Sequence, residues 1–184
     1  MTTLHRRKAR KSALLIAILW IVILGVCWVF ALAVSVRAEA WTPPACMEQI
    51  ADYWRIPPSL IHAIVQIESG GDPIALNVNS HGQGRRELVS SKRDAERRIA
   101  RLLRERANFD VGLGQINVWT AISYGVHPAW MLDPCWNLFV TARHLREKID
   151  RHGYNWTAIE RYNGINPRYP WKVYGQLRRM AGSR

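Results

Sequence analysis

From Cys46 to Met180 the apolar positions recur mostly at intervals of three and four, the spacing of helices with one buried face. After the Pro43-Pro44 break, Met47, Ile50, Ala51 and Trp54 share one side of a short helix that opens at Cys46. Pro57, Pro58 and Ser59 form a helix entry, and Gly70 and Gly71 form its exit. Asp72-Pro73 begins a polar stretch through His81-Gly82-Gln83-Gly84, which reads as a loop. Ser91 with Asp94 resembles a capping pair, and Ala95, Ile99, Leu102 and Leu103 give the following helix its buried face. Pro134 starts another helix, with Leu138, Ala142, Leu145 and Ile149 in register. A short helix from Trp156 to Arg161 and a last one from Trp171 to Met180 complete the pattern. Strict alternation is nearly absent, so a mostly α single domain with little or no β is expected, with no internal repeat.

The first 40 residues stand apart from that domain. Arg6, Arg7, Lys8, Arg10 and Lys11 precede an uncharged run from Ala13 to Val36. A run of that length can span a bilayer, which needs about 20 residues. The small residues around Ala38 and Ala40 also fit a cleavage site. Residues 1–40 are thus a signal peptide or a membrane anchor, and residues 41–184, with a core of about 46–178, form the domain. Positive charge stays cytoplasmic, so either alternative puts the domain in the periplasm, soluble or anchored to the inner membrane through residues 13–36. From Glu39 onward the net charge is +6 of the chain's total of +12. A basic exported domain suits an anionic polymer or membrane surface; nucleic acid would fit the charge equally, and nothing else in the chain favours it.

One acid breaks the apolar rule. Ile61, Ile64, Val65 and Glu68 fall at i, i+3, i+4 and i+7, so the carboxyl continues a hydrophobic stripe at the helix end. Desolvation disfavours the charged form and raises the pKa, which makes a proton donor near neutral pH. The plainer alternative is a glutamate whose rotamer reaches water. Glycoside cleavage needs such an acid, and many hydrolases add a second carboxylate. Asp110, just before Gly112, is the one other acid beside a motif; holding the loop through its own backbone bonds is the alternative role.

The run ending in Glu68-Ser69, the segment Gly112-Leu113-Gly114-Gln115-Ile116-Asn117 and the turn Arg161-Tyr162-Asn163-Gly164 occur in an order that resembles the lytic transglycosylase domain of the goose-type-lysozyme-like superfamily. The resemblance runs from about Cys46 to about Val173 and implies a lysozyme-like helical domain. Gly114 stands where Met is usual, and Arg161 where Ala is usual. The resemblance implies a single catalytic glutamate, Glu68, serving first as acid and then as base, so that the 6-hydroxyl of N-acetylmuramic acid closes a 1,6-anhydro product. It also implies that Gln115 and Asn117 line the substrate groove, that Ser69 supports the glutamate, that Tyr162 sits near its carboxyl, and that Asn163 shapes the turn. For Tyr162 a simple core aromatic is the alternative.

Similar transglycosylases that serve secretion systems often carry cysteines at the positions of Cys46 and Cys135. With Cys27 inside the apolar run, these two are the remaining pair in an oxidising compartment; two buried free thiols are the alternative. No metal-ligand spacing occurs, and no cofactor is implied. Residues 85–106 carry nine basic side chains against four acidic ones and read as a solvated helix face or a docking surface in an insertion away from the motifs. Seven tryptophans follow the leader; most are expected in the core, with Trp119 the best groove candidate. The expected partners are peptidoglycan glycan strands and components of a conjugation or type IV secretion apparatus. An inactive glycan-binding scaffold and a hydrolytic lysozyme are the competing functions.

Overall fold

The computed structural model describes residues 41–80 and 83–182, so the leader expected over residues 1–40 lies outside the described residues. No helix among those described is long and apolar enough to cross a membrane. Among the described residues seven α-helices carry most of the domain, six of them where the spacing predicts and one, over Val118–Ser123, that it does not show. They are α1 (Met47–Trp54), α2 (Pro58–Glu68), α3 (Lys92–Arg104), α4 (Val118–Ser123), α5 (Pro134–His152), α6 (Trp156–Tyr162) and α7 (Tyr169–Gly182), with a 3₁₀ turn over Pro128–Leu132. Their starts obey local chemistry. Pro58 occupies the first turn of α2, Ser91 accepts the Asp94 N–H at α3, and Asp133 accepts the Trp136 N–H at α5.

The expectation of little or no β needs correction. A four-stranded antiparallel sheet runs in the order β2-β1-β3-β4, from β1 (Leu76–Ser80), β2 (Gln83–Glu87), β3 (Asn108–Val111) and β4 (Ile116–Asn117). The stretch read as a loop is therefore largely a strand pair, in the register Asn77 opposite Arg86 and Val78 opposite Arg85. Alternation is present after all, written in unusual residues. Leu76, Phe109 and Val111 are fully buried on one face, while Asn77, Asp110 and Asn117 form one row across β1, β3 and β4 on the other.

Two apolar cores result. One joins α1, α2, α6 and α7 around Ile61, Ile64, Val65, Leu145, Ala158 and Val173. The second lies under the sheet and gathers Leu76, Ile99, Leu102, Phe109, Val111, Val118 and Met131. Helix α5 serves both, giving Leu138, Ala142, Leu145 and Ile149 to the first and Val140 to the second. Cys46 and Cys135 are joined, with a Cα–Cα distance of 6.0 Å, which ties the entry of α1 to the first turn of α5.

The basic segment is no detachable insertion. Ala95, Ile99 and Leu102 of α3 are fully buried in the second core, and β2 pairs with β1. Its outer face is solvated as expected. Arg98 and Arg85 both meet Glu87, Arg101 meets Glu105, and Arg86 reaches Asp72. The tryptophan expectation fails: Trp119, Trp130, Trp136, Trp156 and Trp171 are between 48% and 74% exposed. Rings of this size serve rims as readily as cores, because one end tolerates water.

Candidate functional site

Glu68 ends α2 and lines a cleft of about 460 Å³. The helix is anchored by Ile61, Ile64 and Val65, which are essentially without solvent contact, so the position of its last side chain is set by the first core. Ser69 does not touch the carboxyl. Its hydroxyl donates to the Val65 carbonyl at 3.2 Å and accepts the Gly71 N–H at 3.1 Å, which seals the helix end carrying Glu68. Asn163 donates from its amide to Glu68 Oε1 at 3.2 Å. The buried hydroxyl of Tyr169 also addresses this carboxyl, without completing a hydrogen bond of regular geometry.

Desolvation dominates the electrostatics. It pushes the Glu68 pKa up to about 7, against the opposing pull of Tyr169 and Asn163; the negative charge of Asp110 raises it further, and Lys172 lowers it. Glu68 is therefore poised to hold a proton or release it near neutral pH.

The opposite wall is the polar face of the sheet. Asp110 faces the cleft from β3, and each of its oxygens accepts a side-chain amide, Asn79 at 2.8 Å and Asn117 at 2.8 Å. It thus ties side chains of neighbouring strands together rather than closing a turn on its own backbone. Burial raises its pKa too, against the two amides.

Gln115 and Asn117 both line the cleft, and both are already engaged. The Gln115 amide donates to the Gly112 carbonyl at 2.8 Å and the Ala75 carbonyl at 3.3 Å, while its oxygen accepts from Asn77 at 2.7 Å. Asn117 caps α4 through the Trp119 N–H and donates to Asp110 and Asn108. These amides build the wall, leaving one lone pair on each amide oxygen for a guest. Tyr162 fits the core alternative, and its hydroxyl is spent on the glycine loop. It is a core residue stacked on Tyr169, and its hydroxyl donates to the Gly114 carbonyl at 2.8 Å. Trp119 is not among the cleft-lining residues; its neighbour Thr120 is.

The glycine loop fits because it has no side chains. A Cβ on Gly112 would run into Asn137 and the Met131 carbonyl, and one on Gly114 would run into Thr141 and lie 2.8 Å from the Tyr162 hydroxyl. The space that Met would occupy at position 114 is taken by α5. Asn137, fully buried, clamps this loop: its amide donates to the Val111 and Met131 carbonyls, both at 2.9 Å, and its oxygen accepts the Gly114 N–H at 2.8 Å. Asn137, Asn77, Asn79 and Tyr169 escaped the sequence reading. The one available signal was Asn137 on the apolar side of α5, a buried amide that needs partners.

The comparisons with known proteins place the chain among relatives. It is 34% identical over 90 residues to protein VirB1 of Agrobacterium fabrum, a match spanning 49% of this chain and 36% of VirB1. It is 26% identical over 155 residues to invasion protein IagB of Salmonella typhimurium, spanning 78% of this chain and 80% of IagB. The chain therefore spans about a third of the first relative's length and most of the second's. The transglycosylase SLT domain matches residues 45–172, a span that holds the terminus of α2, the clamped glycine loop and the Tyr162-Asn163 turn. The glutamate with a raised pKa and the loop locked against α5 both lie within the matched span, and the chain belongs to the transglycosylase SLT domain family.

Proposed function

We propose that the protein is an exported peptidoglycan lytic transglycosylase that cleaves the bond between N-acetylmuramic acid and N-acetylglucosamine and leaves a 1,6-anhydro end. One observation carries the reading: Glu68, desolvated at the end of α2, has its pKa pushed up to about 7 and accepts one side-chain amide, while both oxygens of Asp110 are committed to Asn79 and Asn117. A protonated Glu68 gives its proton to the glycosidic oxygen as the bond breaks. The carboxylate left behind takes the proton of the muramyl 6-hydroxyl, which attacks its own anomeric carbon. A pKa near the working pH suits both halves of that exchange. Because the nucleophile belongs to the substrate, no second carboxylate has to activate water.

Export rests on the basic and apolar leader, and periplasmic placement, soluble or anchored, follows from it. A role in opening local gaps in the wall for a secretion or conjugation apparatus draws on the likeness to VirB1 and to a protein named for invasion. The position of the Cys46–Cys135 bridge also supports it. The experiment is digestion of purified sacculi by the full chain, followed by mass analysis of the soluble muropeptides. Anhydro ends are the expected result. Free reducing ends would make the protein a hydrolase with Asp110 as its second acid, and no release by a folded protein would make it a glycan-binding scaffold.

A further inference from the structure

The cleft is electrically divided. Glu68 and Asp110 lie toward α2 and the sheet, whereas Lys148 of α5 and Arg161 of α6 line the same cleft from the helical side. Both cations are half-buried. Among the described residues, neither side chain makes a hydrogen bond or an ion pair. Nearby carboxylates are turned to other uses. Glu147 holds the Tyr124 hydroxyl and pairs with Arg143, Asp150 pairs with Arg146, and Glu160 lines a separate hollow with Trp156 and Trp171. Half-buried Lys and Arg side chains that line a cleft without a direct partner keep their N–H donors free for a ligand. Two of them lining one side of the cleft leave a place for an anion.

We infer that Lys148 and Arg161 bind a carboxylate carried by the N-acetylmuramic acid residue, and so fix which of the two alternating sugars faces Glu68. This rests on the proposed transglycosylase reading. In a strand of N-acetylglucosamine and N-acetylmuramic acid, only the latter bears an acid. Its lactyl carboxyl is free in peptide-stripped strands; when it is amide-linked, the stem peptide supplies carboxylates instead. The neutral sugar offers the cations nothing, so a shift of the strand by one sugar loses the contact. The glutamate then meets the glycosidic bond of the muramyl sugar, whose own 6-hydroxyl is the nucleophile of the proposed reaction.

The test uses the full chain carrying Glu68→Gln, so that binding is read without cleavage, and compares it with the same protein carrying Lys148→Met, Arg161→Met or both. Ligands are soluble peptide-bearing glycan strands, strands stripped of peptide by an amidase, and neutral chitooligosaccharides. Each substitution should weaken binding to an acid-bearing strand about tenfold at low salt. The loss should shrink as salt rises, change chitooligosaccharide binding less than twofold, and be largely restored by Arg161→Lys. A loss confined to peptide-bearing strands assigns the stem-peptide carboxylates; a loss on stripped strands assigns the lactyl group. Equal loss on the neutral sugar, a loss indifferent to salt, or no loss at all overturns the inference. Separately, wild-type protein that shows the charge-dependent binding yet releases no product would overturn the proposed reaction and leave the assignment of the two cations standing.

Discussion

Glu68 couples catalysis to stability through one proton. Glu68→Gln keeps the shape and the Asn163 contact but has nothing to transfer, so cleavage of sacculi should fall by about 10³ or more while binding persists. In the wild type, activity should decline as pH rises through about 7, because the acid form disappears. The same shift has a thermodynamic face. A carboxyl whose pKa rises from 4.5 to about 7 on folding holds its proton more firmly in the folded state, so the fold loses stability as pH climbs through that interval. Glu68→Gln escapes this loss, and should be more stable than the wild type at pH 8 by up to about 3 kcal/mol, with little difference near pH 4. Calorimetry at the two pH values checks the sign. Asp110→Asn removes a neighbouring negative charge that helps keep Glu68 protonated. Its activity should fall far less than that of Glu68→Gln, and its alkaline limb should move to lower pH. An inactive, folded Asp110→Asn protein would instead make Asp110 a partner in the chemistry.

Among the elements, helices were legible in the sequence and strands were not. The stripes of α1, α2, α3 and α5 repeat often enough to be recognised, and their entries carry Pro58, Ser91 and Asp133. The strands are four or five residues long, or two in β4, and along β1, β3 and β4 the row facing the cleft side is Asn and Asp, residues depleted in sheets. Those amides are there because that face is the cleft wall, so the feature that hid the sheet is the one that makes the site. The order of the three motifs located Glu68, but no local pattern showed that Gln115 and Asn117 spend their amides inside the protein. The glycine loop adds a prediction at this scale. Asn137→Leu strands the Val111 and Met131 carbonyls and the Gly114 N–H, and should cost on the order of 3 kcal/mol in urea unfolding, with activity lost in the folded fraction.

At the scale of the whole molecule, the two cores share α5, and the segment of residues 85–106 supplies part of the second. Shortening it should unfold the sheet lobe, giving loss of cleavage on sacculi and on small soluble glycans alike, together with a lower melting temperature. A shortened protein that still turns over small glycans would show the cleft to be independent of β2 and α3. The Cys46–Cys135 bridge also acts at this scale. Loop-entropy estimates for a span of this length give about 4 kcal/mol, so reduction or a Cys46→Ser/Cys135→Ser pair should lower the unfolding midpoint by a corresponding amount. The bridge has a further, topological result. It makes a covalent ring of residues 46–135, which holds Glu68, the whole sheet and the glycine loop, while Tyr162, Asn163 and Tyr169 hang on the tail outside it. A protease that severs one peptide bond anywhere within the ring linearises it without releasing a fragment. The nicked protein would migrate as one species on a denaturing gel until a thiol is added, and only then separate into two.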